Sequence, residues 1–191
     1  MSSVSVPFGN PQTAGNLNVV VVGWNDTSAD VTSVTDDQGN VYTRAVGPAS
    51  ISPALSQSIY YAKNIASAGA NSVTVEFNTP AVFADIRVVE YSGLDPVNPV
   101  DVTATASGTG AATTSATVKT TNALDLIFAA NTVTTSASDA GPGFTNRVIT
   151  ASDGDLVADR IVTAVGSYSA TAPLSVPGTW VMQVVAFRAA P

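Results

Sequence analysis

The chain has 191 residues, with 14 Asp and Glu against 7 Lys and Arg, a net charge of −7, and neither Cys nor His. That length buries one substantial core. The missing residue types exclude disulfides, thiolate zinc sites, thiol nucleophiles and imidazole bases, and the acidic balance leaves no basic face for nucleic-acid phosphates or an anionic membrane.

Charged residues make up only 11% of the chain and hydrophobic ones 45%. Much of the balance is Ser, Thr, Asn and Gly, a composition of strands and turns rather than of exposed helices. In chain order, SSVSVPF opens a first strand and NLNVVVVGW a second. The apolar run VVVVGW at 19–24 is too short to span a bilayer. Because its apolar residues are successive rather than alternating, this strand needs cover on both faces. DVTSVT leads into DDQGN at 36–40, where Gly39 supplies a positive φ, Asp36 accepts backbone amides ahead of it, and Asn40 tolerates the left-handed region. NVYTRAV, QSIYYAK, NSVTVEF and DIRVVEY follow as further strands, and AKNIASAGA at 62–70 makes at most one helical turn.

TATASGTGAATTS at 103–115 is small, uncharged and carries two glycines, and reads as a crossover. Beyond it the pattern resumes with SATVKT, ALDLIFAA, GFTNRVIT, LVADRIVT, GSYSATAPL and WVMQVVAF. Several elements match between the two parts in order but not at a fixed period: NLNVVVV with ALDLIFA, the DDQGNVYTR turn with GPGFTNR, IYYAKN with RIVTAV, VTVEF with SATAPL, IRVVEY with MQVVAF. The last match places Ala186 at the position of Glu90. These features predict an all-β, antiparallel, jelly-roll-like sandwich of about 12 strands. It would be a single domain over 1–191, with similar halves at about 1–102 and 113–191 and a linker at 103–112. The repeated turn phrase would close the same hairpin in each half, and the halves would pack face to face, since each alone has too small a core.

Glu76 and Glu90 are the only glutamates, and both fall on strands that could be neighbours. Paired carboxylates are how sandwich-fold glycoside hydrolases hold an acid and a nucleophile; the plainer reading is a partly buried carboxylate paired with an arginine. The loop SDGDLVAD offers Asp153, Asp155 and Asp159 as oxygen ligands for calcium, and WNDTSAD offers Asn25, Asp26 and Asp30; either is equally an Asp-containing turn without metal. Trp24, Tyr61 and Trp180 are candidate stacking surfaces for sugar rings, against the alternative that such rings fill the core. Lys63, beside Asn64, has the composition of an intramolecular crosslink with a carboxylate nearby, although an exposed lysine at a strand end is the ordinary case.

Together, GNLNVVVVGWND, VTSVTDDQGNVYTRAVG, QSIYYAKNI, IRVVEYSGLDPVNPVD and WVMQVVAFR resemble a β-sandwich module that recurs in large secreted or surface-anchored multidomain bacterial proteins beside other adhesion-type domains. The resemblance covers nearly the whole chain and implies an extracellular module of a larger protein with no settled activity and no catalytic residues to carry over. It implies a non-enzymatic role, and by analogy the expected one is to bind polysaccharide or a cell-surface glycan, with no nucleic-acid partner, no membrane insertion and no cofactor beyond the calcium considered above. The alternatives are a structural or assembly module, such as a spacer, filament or capsid-like jelly roll, and a hydrolase or lyase using Glu76 or Glu90.

Overall fold

The central strand of each half is buried along its whole length, and the rest of the fold follows from how that is achieved. The computed structural model describes residues 1–191 and contains fourteen strands and no helix. In the first half these are β1 (Ser3–Pro7), β2 (Leu17–Trp24), β3 (Val31–Asp36), β4 (Thr43–Ile51), β5 (Leu55–Ala62), β6 (Ser72–Phe77) and β7 (Asp85–Tyr91). The remainder are β8 (Val100–Thr114), β9 (Val118–Lys119), β10 (Asp125–Val133), β11 (Thr145–Ile149), β12 (Leu156–Val162), β13 (Ser167–Tyr168) and β14 (Thr171–Arg188). Every pairing is antiparallel, in sheets ordered β1-β6-β3, β4-β5-β2-β7, β11-β12-β10-β14-β8 and β13-β9.

Side chains alternate across a strand, so each face of β2 and β10 joins a different core. From β2, Val20, Val22 and Trp24 pack under the three-stranded sheet with Val73, Val75 and Phe77. Its other face, Leu17, Val19 and Val21, meets Leu126, Phe128 and Ala130 of β10 in a core shared by the two halves. The opposite face of β10, with Ile127, Ala129 and Val133, packs with Val118, Met182 and Val184 in a third core. The successive apolar residues of NVVVV are thereby explained. One small sheet and the other half's large sheet cover β2 from its two sides.

Four features depart from the sequence expectation. Residues 103–112, read as a linker, lie inside β8 and pair with β14. Their small side chains are a fitting requirement at Gly108, where a Cβ would come within 2.8 Å of the Trp180 ring. The repeated turn phrase does not close a hairpin: β3 and β4 belong to different sheets, and the turn carries the chain from one to the other. Gly39 (φ 71°) and Gly143 (φ 80°) do take the left-handed conformation, whereas Asn40 contributes hydrogen bonds instead of a positive φ. Finally, β2 Asn18 lies opposite Glu90 and β10 Asp125 opposite Arg188. With Leu17 matched to Leu124, the counterpart of Glu90 is therefore Arg188, two residues beyond Ala186.

Polar groups also cross between the halves. Gln57 Nε2 donates to the Ala130 carbonyl at 3.0 Å and to Gln183 Oε1 at 3.1 Å, and Thr132 Oγ1 donates to Gln57 Oε1 at 2.8 Å. Arg87, 3% exposed, donates to the Asn131 and Leu156 carbonyls and to Thr132 Oγ1. Its guanidinium lies 3.2 Å from Asp85 and 3.6 Å from Asp155. The Arg87 Nε and Asp85 Oδ2 atoms attract as charges but are not aligned as a hydrogen bond. Burial raises both carboxyls above the usual range in spite of the Arg87 charge.

Candidate functional site

The sequence-predicted residues scatter, and only some reach a surface where a ligand could sit. Trp24 is 1% exposed and stacks edge-on against Phe77 at 5.7 Å; Trp180 is 7% exposed and lies across Gly108. Both are core residues, near the end of the sandwich opposite Tyr61, because β2 pairs Trp24 with Ser56 but Val19 with Tyr61. The stacking role predicted for them is therefore corrected to packing.

Asp153, Asp155 and Asp159 do not converge either. Four residues of extended strand separate the backbones of Asp155 and Asp159 by about 13 Å, far beyond the reach of one ion bound at about 2.3–2.6 Å. The oxygens of Asp155 and Asp159 are also taken up. Asp155 Oδ1 accepts the Val133 amide at 2.8 Å, while Asp159 accepts Arg147 through two bonds of 2.6 and 2.9 Å and the Tyr91 hydroxyl at 2.6 Å. In the other acidic loop, Asp26 accepts the amides of Ser28, Ala29 and Val82 and so ties down its own turn.

Glu76 and Glu90 sit on different sheets, β6 pairing with β1 and β3, and β7 with β2. Glu76 accepts Ser33 Oγ at 3.0 Å. Glu90 accepts the Thr13 amide and Asn16 Nδ2, at 2.9 and 2.5 Å, fastening the loop before β2. The neighbouring-strand geometry that a two-carboxylate mechanism needs is absent. Lys63 is exposed and donates to the Val97 carbonyl, outside the apolar pocket a crosslink requires.

Of the three predicted aromatic residues, Tyr61 alone reaches a groove. The two tyrosines of β5 do project to opposite faces, but both faces are covered: Tyr60 enters the first-half core and Tyr61 packs at the rim of the shared core. Half-buried, Tyr61 sets its ring edge-on to Phe187 at 6.1 Å and lines an open groove of about 500 Å³ with Lys63, Asp95, Val97, Asn98 and Arg188. The Pro-rich segment SGLDPVNP between β7 and β8 forms one wall. Asp95 Oδ1 accepts the amides of Val97 and Asn98 at 2.8 and 3.0 Å, shaping that wall as a tight turn. Those amides, with Arg188 and Lys63 nearby, hold the Asp95 carboxyl below its ordinary value. Arg188, at the end of β14, donates to the carbonyls of Asn98 and Val100 and reaches Asp101 at 2.8 Å.

Behind the groove lies a second, buried carboxyl. Asp125 is 1% exposed, and neither of its oxygens meets a hydrogen-bond donor. Burial, then the hydrogen bond and charge of Asp101, push it up to about 7, so that below neutral pH it carries a proton and faces Asp101 as a donor. Burial works against Asp101 too, but bonds from Thr121 and Asp125 and the Arg188 charge more than offset this and keep it ionised.

On the other side of Leu94, a smaller pocket of about 230 Å³ is walled by Leu124, Leu126 and Ile161 and by the Arg147–Asp159 pair. Its rim is apolar, with Leu124 47% and Ile161 69% exposed.

The sequence reading misses Lys63, Asp95 and Arg188 as groove residues. The available signal is Asp95 between Gly93 and Pro96, marking a rigid turn that packs against a lysine-bearing strand end. It also passes over Phe83, which is 72% exposed with φ 45° and stands at the far end of β7 from the groove. A comparison with family models, curated proteins and solved structures finds no match to the chain.

Proposed function

We propose that the protein is a non-catalytic binding module of a secreted or surface-anchored bacterial protein, engaging polysaccharide or a cell-surface glycan at the groove around Tyr61. The observation that carries this reading is the groove itself: an open depression with one aromatic ring and several polar groups around it. An aromatic face covers the C–H face of a sugar ring while hydrogen-bonding groups take its hydroxyls, and a preformed site of this kind binds at low ordering cost. Of the carboxylates that would serve hydrolysis, Glu90 is occupied in fastening the loop before β2 and Glu76 accepts Ser33 on the neighbouring strand.

The test is a glycan array with retention on polysaccharide affinity gels, using the whole chain and Tyr61→Ala. Retention of the parent and its loss in the variant are expected; no retention on any glycan removes the reading.

A second reading, a structural or assembly module, draws on two strand edges. β7 and β11 each end their sheet and flank a cleft of about 440 Å³ lined by Val6, Ile86, Val88 and Val148. Unpaired apolar edges are places where chains add to one another. Concentration-dependent assembly in light scattering would favour it.

A further inference from the structure

Two of the chain's seven cationic side chains, Lys63 and Arg188, converge on the Tyr61 groove in a protein of net charge −7. Their hydrogen-bonding capacity is only partly used. An ammonium carries three N–H donors and a guanidinium five. Lys63 spends one on the Val97 carbonyl, and Arg188 spends three, on Asn98, Val100 and Asp101. Two donors remain on each. The same bonds occupy one of the two lone pairs on each of the carbonyl oxygens of Val97, Asn98 and Val100. Asp95 has one oxygen committed to the Val97 and Asn98 amides and offers a single free one. Asp101, which neutralises part of Arg188, has a fully buried side chain and lies behind the groove wall. The exposed wall thus sets two cations with unspent donors against the single carboxylate of Asp95. A neutral sugar, whose hydroxyls both donate and accept, leaves that imbalance standing; a carboxylate is acceptor-only and answers it with charge-assisted bonds.

We infer that the Tyr61 groove selects carboxylated saccharides, of the uronic-acid type, over neutral ones. The inference rests on the glycan-binding reading above and specifies its ligand class. On a strongly acidic protein, two cations that face a single exposed carboxylate also direct an anionic chain to this part of the surface.

The experiment is isothermal titration of the whole chain with a galacturonate oligosaccharide and with a neutral galactose oligosaccharide of the same length, repeated with Lys63→Gln and Tyr61→Ala. Lys63 is exposed, so K63Q leaves the fold intact, which circular dichroism checks. Expected are at least tenfold tighter binding of the acidic ligand, a loss of about that size in K63Q for this ligand alone, and loss of both ligands in Y61A. Equal or tighter binding of the neutral oligosaccharide, abolished in Y61A, overturns the selectivity and leaves glycan binding in place. Acidic binding unchanged in both variants overturns the groove as its site. Binding of neither ligand overturns the selectivity inference, and an empty glycan array would then remove the reading beneath it as well.

Discussion

Replacing Asp125 by asparagine should raise the stability of the protein at pH 8 and flatten its pH dependence. Asp125 is 1% exposed with no donor on either oxygen, and the Asp101 carboxylate lies beside it as an acceptor. Its carboxyl, ordinarily near 3.8, is pushed up to about 7 in the folded state. The sign follows from proton binding: between those two values the folded chain holds a proton that the unfolded chain has released, so raising the pH favours unfolding. This contribution is complete below about 3.8 and lost as pH climbs through about 7. The gap corresponds to about 4 kcal/mol as an upper bound, at ~1.36 kcal/mol per pH unit, and relaxation of the site would leave ~2 kcal/mol. The asparagine side chain would present an amide donor to Asp101 at every pH. Thermal melts of parent and D125N between pH 4.5 and 8.5 read the difference. For a domain of this size ~2 kcal/mol shifts Tm by about 4–8 °C, with the variant ahead at pH 8 and the two close at pH 4.5. Parallel curves over that range would refute the shared-proton account of Asp101 and Asp125.

Arg87→Leu leaves Asp85 and Asp155 buried without their counter-charge and removes two bonds to the backbone of the second half. A loss of about 3–5 kcal/mol is expected in urea denaturation at pH 8, and less at pH 5, where the Asp155 carboxyl, pushed up to about 7, accepts a proton. Gly39→Val meets open space at its Cβ, so its cost is backbone strain alone at φ 71°, about 1–2 kcal/mol; a melting temperature equal to the parent's would contradict this. Trp24→Ala, in the core, should cost about 3–5 kcal/mol while retention on any glycan that the folded parent binds stays unchanged, the reverse of Tyr61→Ala.

The cores are legible where bulky residues set the pattern. NLNVVVVGW and ALDLIFAA demand cover on both faces, and packing the halves against each other provides it. Where side chains are small the pattern falls silent: TATASGTGAA alternates Thr and Ser with Ala and Gly without the bulk that marks a strand, and its pairing is dictated by the distant β14, including the fit of Gly108 to Trp180. β14 itself runs through Pro177 and Gly178 because a register shift between Pro173 and Gly178 absorbs them. The turn at Gly39 is legible as a turn, but its strands part into different sheets. Asp36, which accepts Gln38, Asn40, Tyr42 and Asn71, fixes a corner rather than a hairpin. Burial alone would raise that carboxyl, and those bonds hold it below its ordinary value.

The site is legible only in Tyr61. Aromatic type does not reveal which ring is covered, and the two tryptophans become core because Phe77 of β6 packs on Trp24 and Trp180 lies across Gly108 of the neighbouring β8. Arg188 and Asp95 come together from positions 93 residues apart, through the loop between the halves, and no local motif announces that meeting.

Amide chemical-shift mapping during titration with a galacturonate oligosaccharide is the most direct measurement of the proposed binding. Binding at the groove predicts shifts that saturate with ligand and centre on Tyr61, Lys63, Asn98 and Arg188, with the β7–β11 cleft and the loop at Phe83 unaffected. Saturable shifts confined to the cleft or to that loop, or none in the groove at millimolar ligand, would contradict it.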